Sequence, residues 1–250
     1  MAQSGAIQNG QVIEFFDRRS FERVARLSSL QHLEDFLGAG ALAIPAAGSA
    51  ESGMDWVKKI VGAAPPTVAG VASAIGGQVA CTLTSASQKQ DAALYWGDQK
   101  GIDITRGIVF EGRIRMPVLP SAAEVQMAFG LFSDWIDGPD NNTCFVSVGA
   151  LASGALNIKT FDGTTTISAS SGVTLTASDW AIVRIDMTDL ADVRVFIDGE
   201  QATATGQINF TATGTLAVLQ PYAAMYKASG TGVGTLLVDY VRIWANRIPY

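Results

Sequence analysis

From Trp56 to Trp244 the chain repeats one pattern: short runs in which apolar and polar residues alternate, separated by turn dipeptides. A period of two sends successive side chains to opposite faces of a sheet, so the pattern calls for strands with a buried face. Eleven runs predict strands: Trp56–Val61, Gln78–Thr84, Ala92–Trp96, Ile108–Met116, Val125–Phe132, Thr143–Val148, Leu156–Phe161, Trp180–Met187, Val193–Ile197, Thr215–Tyr226 and Thr235–Trp244. Asp162–Gly163, Ser171–Gly172, Asp198–Gly199 and the GTGVG of residues 230–234 supply the turns. A parallel sheet needs a crossover helix between strands, and no long helical stretch separates these runs. The expectation is an all-β antiparallel sandwich of jelly-roll type. The last run, LLVDYVRIWANR, reads as a closing strand anchored by Trp244.

Composition narrows the function classes. Apolar residues make up 48% and charged ones 16%, enough for a sizeable core. A formal charge of −6 argues against nucleic-acid binding, which needs a clustered basic face. No apolar run of about 18 residues free of charge predicts a membrane span. MAQSGAIQNG lacks a basic start followed by an apolar run, so no signal peptide is expected. The expectation is a soluble protein made in a reducing cytoplasm. Cys81 and Cys144 are expected as two separate buried thiols. The NNT and NFT sequons have no consequence without secretion.

Residues 1–54 break the pattern, and residues 55–250 are taken as the sandwich domain. Ile13, Phe16, Val24 and Leu27 lie near helical spacing, Ser28 and Gln31 fit a capping box, and GAGALAIPAAGSAESG reads as a loop. Two readings stay open: a pair of short helical turns packed on the domain, or an arm whose Phe15, Phe16 and Phe21 bury against a neighbouring subunit.

Three segments carry a resemblance. WAIVRIDMTDLADVRVFIDGEQ looks like the back-sheet hairpin of concanavalin A-like lectin and glucanase jelly rolls. VFEGRIRMP with VQMAFGLFSD resembles the two preceding inner strands, and LLVDYVRIW the closing strand, which would pair with an early one. DAALYWGDQKGIDITRGIVFEGRIRMP is similar to sandwich domains of tailed-bacteriophage particles, in head decoration or tail appendages. That second resemblance implies a non-enzymatic virion protein.

Candidate sites are few. Glucanases that this fold resembles carry Glu-x-Asp-x-x-Glu on one strand, and retaining hydrolysis needs two carboxyls about 5–5.5 Å apart. Beyond residue 100 the only glutamates are Glu111, Glu124 and Glu200, far apart in sequence, so the motif is absent. In SDWIDGPDNNTC, Asp134, Asp137 and Asp140, with Asn141 and Asn142, offer hard oxygen donors suited to Ca²⁺, but the same residues build ordinary turns. Trp135 in that loop is the candidate for stacking on a sugar, with Trp96 and Tyr222 behind it. His32, the only histidine, is assigned a surface or capping role. GAGALA matches a dinucleotide fingerprint only formally, since Pro45 would break the helix it needs.

The expectation is therefore a structural protein of a phage particle without enzymatic activity or cofactor. It would decorate the capsid exterior, after assembly in the host cytoplasm, and bind the major capsid protein and copies of itself. The alternative is a carbohydrate-binding module of a tail fibre or other host-recognition appendage, with a host glycan as partner.

Overall fold

The computed structural model describes residues 4–9, 12–17, 23–25, 31–37, 44–47, 56–74, 76–202 and 207–245, those before 31 only as backbone strands. In chain order the strands are β1 (Ser4–Asn9), β2 (Val12–Asp17), β3 (Arg23–Ala25), β4 (Gln31–Glu34), β5 (Val57–Val61), β6 (Thr67–Gly70), β7 (Val79–Thr82), β8 (Gln90–Tyr95), β9 (Ile102–Asp103) and β10 (Ile108–Val118). They continue as β11 (Val125–Phe132), β12 (Phe145–Ala150), β13 (Ala155–Phe161), β14 (Thr166–Thr174), β15 (Trp180–Met187), β16 (Arg194–Ile197), β17 (Glu200–Gln201), β18 (Val218–Lys227) and β19 (Thr235–Ala245).

Two antiparallel sheets of eight strands form the sandwich. The back sheet runs β17-β16-β15-β10-β19-β7-β6, with β4 also paired to β19. The front sheet runs β14-β13-β12-β11-β18-β8-β5, with β9 paired to β18. Ile108, Phe110, Ile114 and Met116 of β10 point into the gap and meet Met127, Phe129 and Leu131 of β11. The rings of Phe110 and Phe129 lie 5.1 Å apart, at the contact between sheets. Gly112 makes room for that contact, because a Cβ there would sit 2.5 Å from Phe129 and 2.8 Å from the Tyr240 carbonyl. Cys81 and Cys144 are buried, unbridged thiols, as expected.

The closing strand is internal rather than an edge. Trp244 stands opposite Val109 of β10 on one side and Gln31 of β4 on the other. The register slips by one residue between Arg113 and Ile114, so Tyr240 and Val238 face consecutive residues of β10. This bulge absorbs Asp239 and lets Val238 and Val241 both point inward although three positions apart.

Three expectations need correction. The near-helical spacing at the start belongs to strands: β1, β2 and β3 form a separate antiparallel sheet, in which Phe15 and Phe16 hold consecutive positions of β2. Phe21 lies outside the described residues. Val12, Ile13, Phe15 and Phe16 are β-branched or aromatic, and Asn9–Gly10 is a hairpin signal, so local preference opposed a helix. Gln31 opens β4 instead of closing a capping box. Ser171–Gly172 lies inside β14, where Gly172 adopts φ 77° and the ladder with β13 slips.

Candidate functional site

The two sheets treat their outer faces differently. In β10, β15 and β19 buried and part-exposed residues alternate, as they do when one face meets solvent. In β8, β11, β12 and β18 almost every residue is buried, on both faces. The outer face of the front sheet carries Tyr95, Phe132, Phe145 and Tyr222, which form a second apolar cluster beyond the inter-sheet core. Phe132 and Tyr222 lie 4.5 Å apart between ring centroids, and Phe132 stacks on Phe145 at 5.1 Å.

The acidic loop crosses part of this face as a strap between β11 and β12. At its base the Ser133 amide donates to the Cys144 carbonyl at 2.9 Å, and the Asn142 side chain bonds Ser133 and Asp134 from inside the loop. Each of its three aspartates meets a lysine from outside the strap. Asp134 pairs with Lys100 at 3.1 Å, Asp137 with Lys89 at 2.7 Å and Asp140 with Lys159 at 2.6 Å. The carboxylates read as Ca²⁺ donors are thus spread over three separate ion pairs. Among the described residues no group of three His, Cys, Asp or Glu side chains is placed to hold a metal.

Trp135 is directed at the sheet. Its amide donates to Asp98 Oδ1 at 2.7 Å and its indole Nε1 to Asp91 Oδ2 at 3.0 Å, while Lys59 Nζ sits 4.7 Å from its ring centroid. Asp98 is itself held by Gln220, whose Nε2 donates to Oδ1 at 3.0 Å. Asp91 is fully buried, and its Oδ1 has no hydrogen-bond partner among the described residues. Burial pushes its carboxyl up to about 7, against the pull of the Trp135 N–H; Asp137 adds to the rise, and Lys59 and Lys89 oppose it.

Beside the strap lies an open cleft of about 360 Å³, within the range of small-ligand sites. Phe145, Phe161 and Ile167 provide its apolar surface; Asp140, Asn141, Asn142, Lys159, Thr166 and Ser168 provide its polar one. Register brings these together: Phe145 stands opposite Phe161, Phe161 opposite Thr166, and Lys159 opposite Ser168. Asp140 is the one carboxylate lining the cleft.

The sequence candidates fall unevenly on this map. Asp140, Asn141 and Asn142 line the cleft, whereas Trp135 lies under the strap and away from its lining. Trp96 packs edge-on against His32 at 5.0 Å and against Trp56 at 6.2 Å, and Tyr222 is fully buried, so neither offers an open ring. His32 sits in β4 among these rings instead of capping a helix. Phe145, Phe161, Lys159 and Asp91 were not singled out from the sequence. Only Asp91 left a signal there, as a lone carboxylate in the otherwise apolar run DAALYW.

No family model and no curated protein matches the sequence. Solved structures do match the fold. A structure reported under endo-acting O-glycanases that initiate mucin breakdown, from human gut microbiota, superposes with a TM-score of 0.57 at 11% identity, covering 86% of this chain and 99% of its own. A β-1,3-glucanase from Mycobacterium marinum gives 0.53 at 16% identity, covering 87% and 98%. The carbohydrate recognition domain of Emp47p gives 0.51 at 13%, covering 82% and 95%. The fold is a concanavalin A-like jelly roll. At these identities the likeness carries the architecture of this jelly roll alone.

Proposed function

We propose that this jelly roll is a non-catalytic carbohydrate-binding module whose site is the cleft beside the strap. The observation that carries the reading is the pairing of the part-exposed ring of Phe161, backed by buried Phe145, with a polar rim of Asp140, Asn141, Asn142, Lys159, Thr166 and Ser168. A sugar ring presents an apolar C–H face and equatorial hydroxyls, and this lining meets both. The same lining supports binding without hydrolysis. Glycoside hydrolysis calls for two facing carboxyls, and here the single one, Asp140, is engaged by Lys159. Lectin and glucanase structures of the same fold agree with a glycan ligand.

The test is a glycan array probed with the full chain and with Phe161→Ala. Binding to a subset of oligosaccharides that drops at least about tenfold in the variant supports the reading, tenfold being about 1.4 kcal/mol. Turnover of a bound glycan, or binding indifferent to Phe161, overturns it.

A second reading has its own observation. Among the described residues the sheet β1-β2-β3 pairs with no strand of the sandwich, and Phe15 and Phe16 hold consecutive positions of β2, which suits an arm that docks on a neighbouring subunit. A capsid-decorating role on a phage particle would use it. Loss of capsid attachment on removing the first 25 residues, with glycan binding unaffected, would favour that role.

A further inference from the structure

The strap is held to the sheet by contacts of two kinds. Its three lysine pairs lie at the surface, with Lys89 and Asp137 exposed by 44% and 51%, and such pairs are weak and screened by salt. Its deeper contacts are the Ser133 carbonyl, which accepts from fully buried Gln220 at 3.4 Å, the Trp135 amide, which donates to Asp98 at 2.7 Å, and the Trp135 indole, which donates to the fully buried carboxyl of Asp91 at 3.0 Å. That carboxyl has one oxygen bound to the indole and one with no partner among the described residues. Such a group is tolerated when neutral and strongly disfavoured when ionised. Close by, the hydroxyl of Tyr222 is also buried without a partner among the described residues. Beneath the strap, then, the sheet keeps polar atoms that closure leaves unsatisfied.

We propose that the strap of residues 133–144 is a displaceable lid, latched by Trp135 on protonated Asp91 and released as that carboxyl ionises. Release uncovers the aromatic floor of Tyr95, Phe132 and Tyr222 and frees Asp140, Asn141 and Asn142 from the cleft wall. The proposal stands apart from the glycan reading, since it concerns the strap with or without a ligand.

The groups facing Asp91 fix the direction. From the strap come Trp135 and Asp137, from β5 Lys59, from the approach to β8 Lys89, from β8 itself Tyr95, from β18 Tyr222 and Tyr226, and from β7 Cys81. The lysines are drawn outward to Trp135 and Asp137, and burial dominates, so closure raises the carboxyl to about 7. In the open strap it returns to the ordinary value near 4. Between those values the closed state binds more protons than the open one. Opening therefore becomes easier as pH rises, by roughly tenfold per unit, and levels off above the upper value.

Amide hydrogen exchange across 133–144 in the full chain, from pH 5 to 8 and corrected for the chemical exchange rate, tests this. The wild type should lose protection of the strap up to about pH 7, while strands β10 and β19 keep theirs. Asp91→Asn keeps an acceptor for the indole and removes the titration, so its strap protection should be flat across the range. Trp135→Phe removes the latch without adding charge, so its strap should exchange faster than wild type at pH 5. A flat wild-type profile, a slope that survives Asp91→Asn, or unchanged exchange in Trp135→Phe would each overturn the proposal.

Discussion

The outer faces of the two sheets are built from strands of similar length, yet one is a surface and the other a second core. On the back sheet, arginines lie over aromatic rings: Arg113 over Trp180 at 4.6 Å and Arg242 over Trp244 at 4.6 Å. Arg113 also pairs with Asp239 at 3.0 Å. Guanidinium groups cover apolar surface while staying in water, so that face needs nothing laid upon it. On the front sheet Tyr95, Phe132, Phe145 and Tyr222 carry no such cover of their own and are buried by chain folded over them. A face that must be covered can also be uncovered. That difference places the cleft and the strap on the front.

If the difference is real, equivalent outward positions should respond unequally. Phe132→Ala should destabilise by about 3–5 kcal/mol in denaturant unfolding, the magnitude of a core truncation, since Phe132 is only 1% exposed. A loss under about 1 kcal/mol would mean that the front face is a surface after all.

The next effect is acid-dependent and sharpens the picture at the edge of the front sheet. Asp162, at the turn from β13 to β14, accepts from the Thr211 hydroxyl at 2.6 Å and from the amides of Thr165, Thr164 and Thr211 at 2.7, 2.9 and 3.1 Å. Burial alone would raise this carboxyl; the Thr211 hydroxyl and the three amides outweigh it and bring it down to about 2. A depressed value contributes stability above the unfolded value near 4, and that stability is lost as pH falls through the folded value. Roughly 2 kcal/mol should disappear between about pH 4 and 2 on this group's account, and in Asp162→Asn the loss of stability across that window should be smaller than in wild type by about that amount. Unfolding curves measured from pH 5 to 2 decide it.

On the back face Arg113→Ala should cost about 0.5–1 kcal/mol, for one exposed stacked guanidinium and its ion pair. Ile182→Ala, 38% exposed on that face, should stay within about 0.5 kcal/mol by the same unfolding assay. Smallest of all is the response to chelation. With Asp134, Asp137 and Asp140 each facing a lysine, EDTA should leave the thermal midpoint unchanged. A drop restored by Ca²⁺ would return them to the role of ligands.

Period two was legible in the sequence wherever one face meets solvent, as in Trp180–Met187, or where apolar residues fill both faces, as in Val125–Phe132. It failed at β14, where Ser and Thr dominate and half the positions face water, and at the start, where a hairpin signal was outweighed by incidental spacing. The strap was legible as an acidic loop but not as a cover, because its partners Lys59, Lys89, Lys100 and Lys159 come from elsewhere in the chain. The cleft was invisible for a related reason. Phe145 and Phe161 lie sixteen positions apart and become neighbours only through strand register.

The most direct test of a front-face site is titration calorimetry with an oligosaccharide selected on the array, using wild type, Phe161→Ala and Trp244→Ala. With the site in the front cleft, affinity should fall at least about tenfold when the cleft loses Phe161 and stay within about twofold when the back face loses Trp244. Loss of binding on replacing Trp244, with Phe161→Ala indistinguishable from wild type, would contradict that placement.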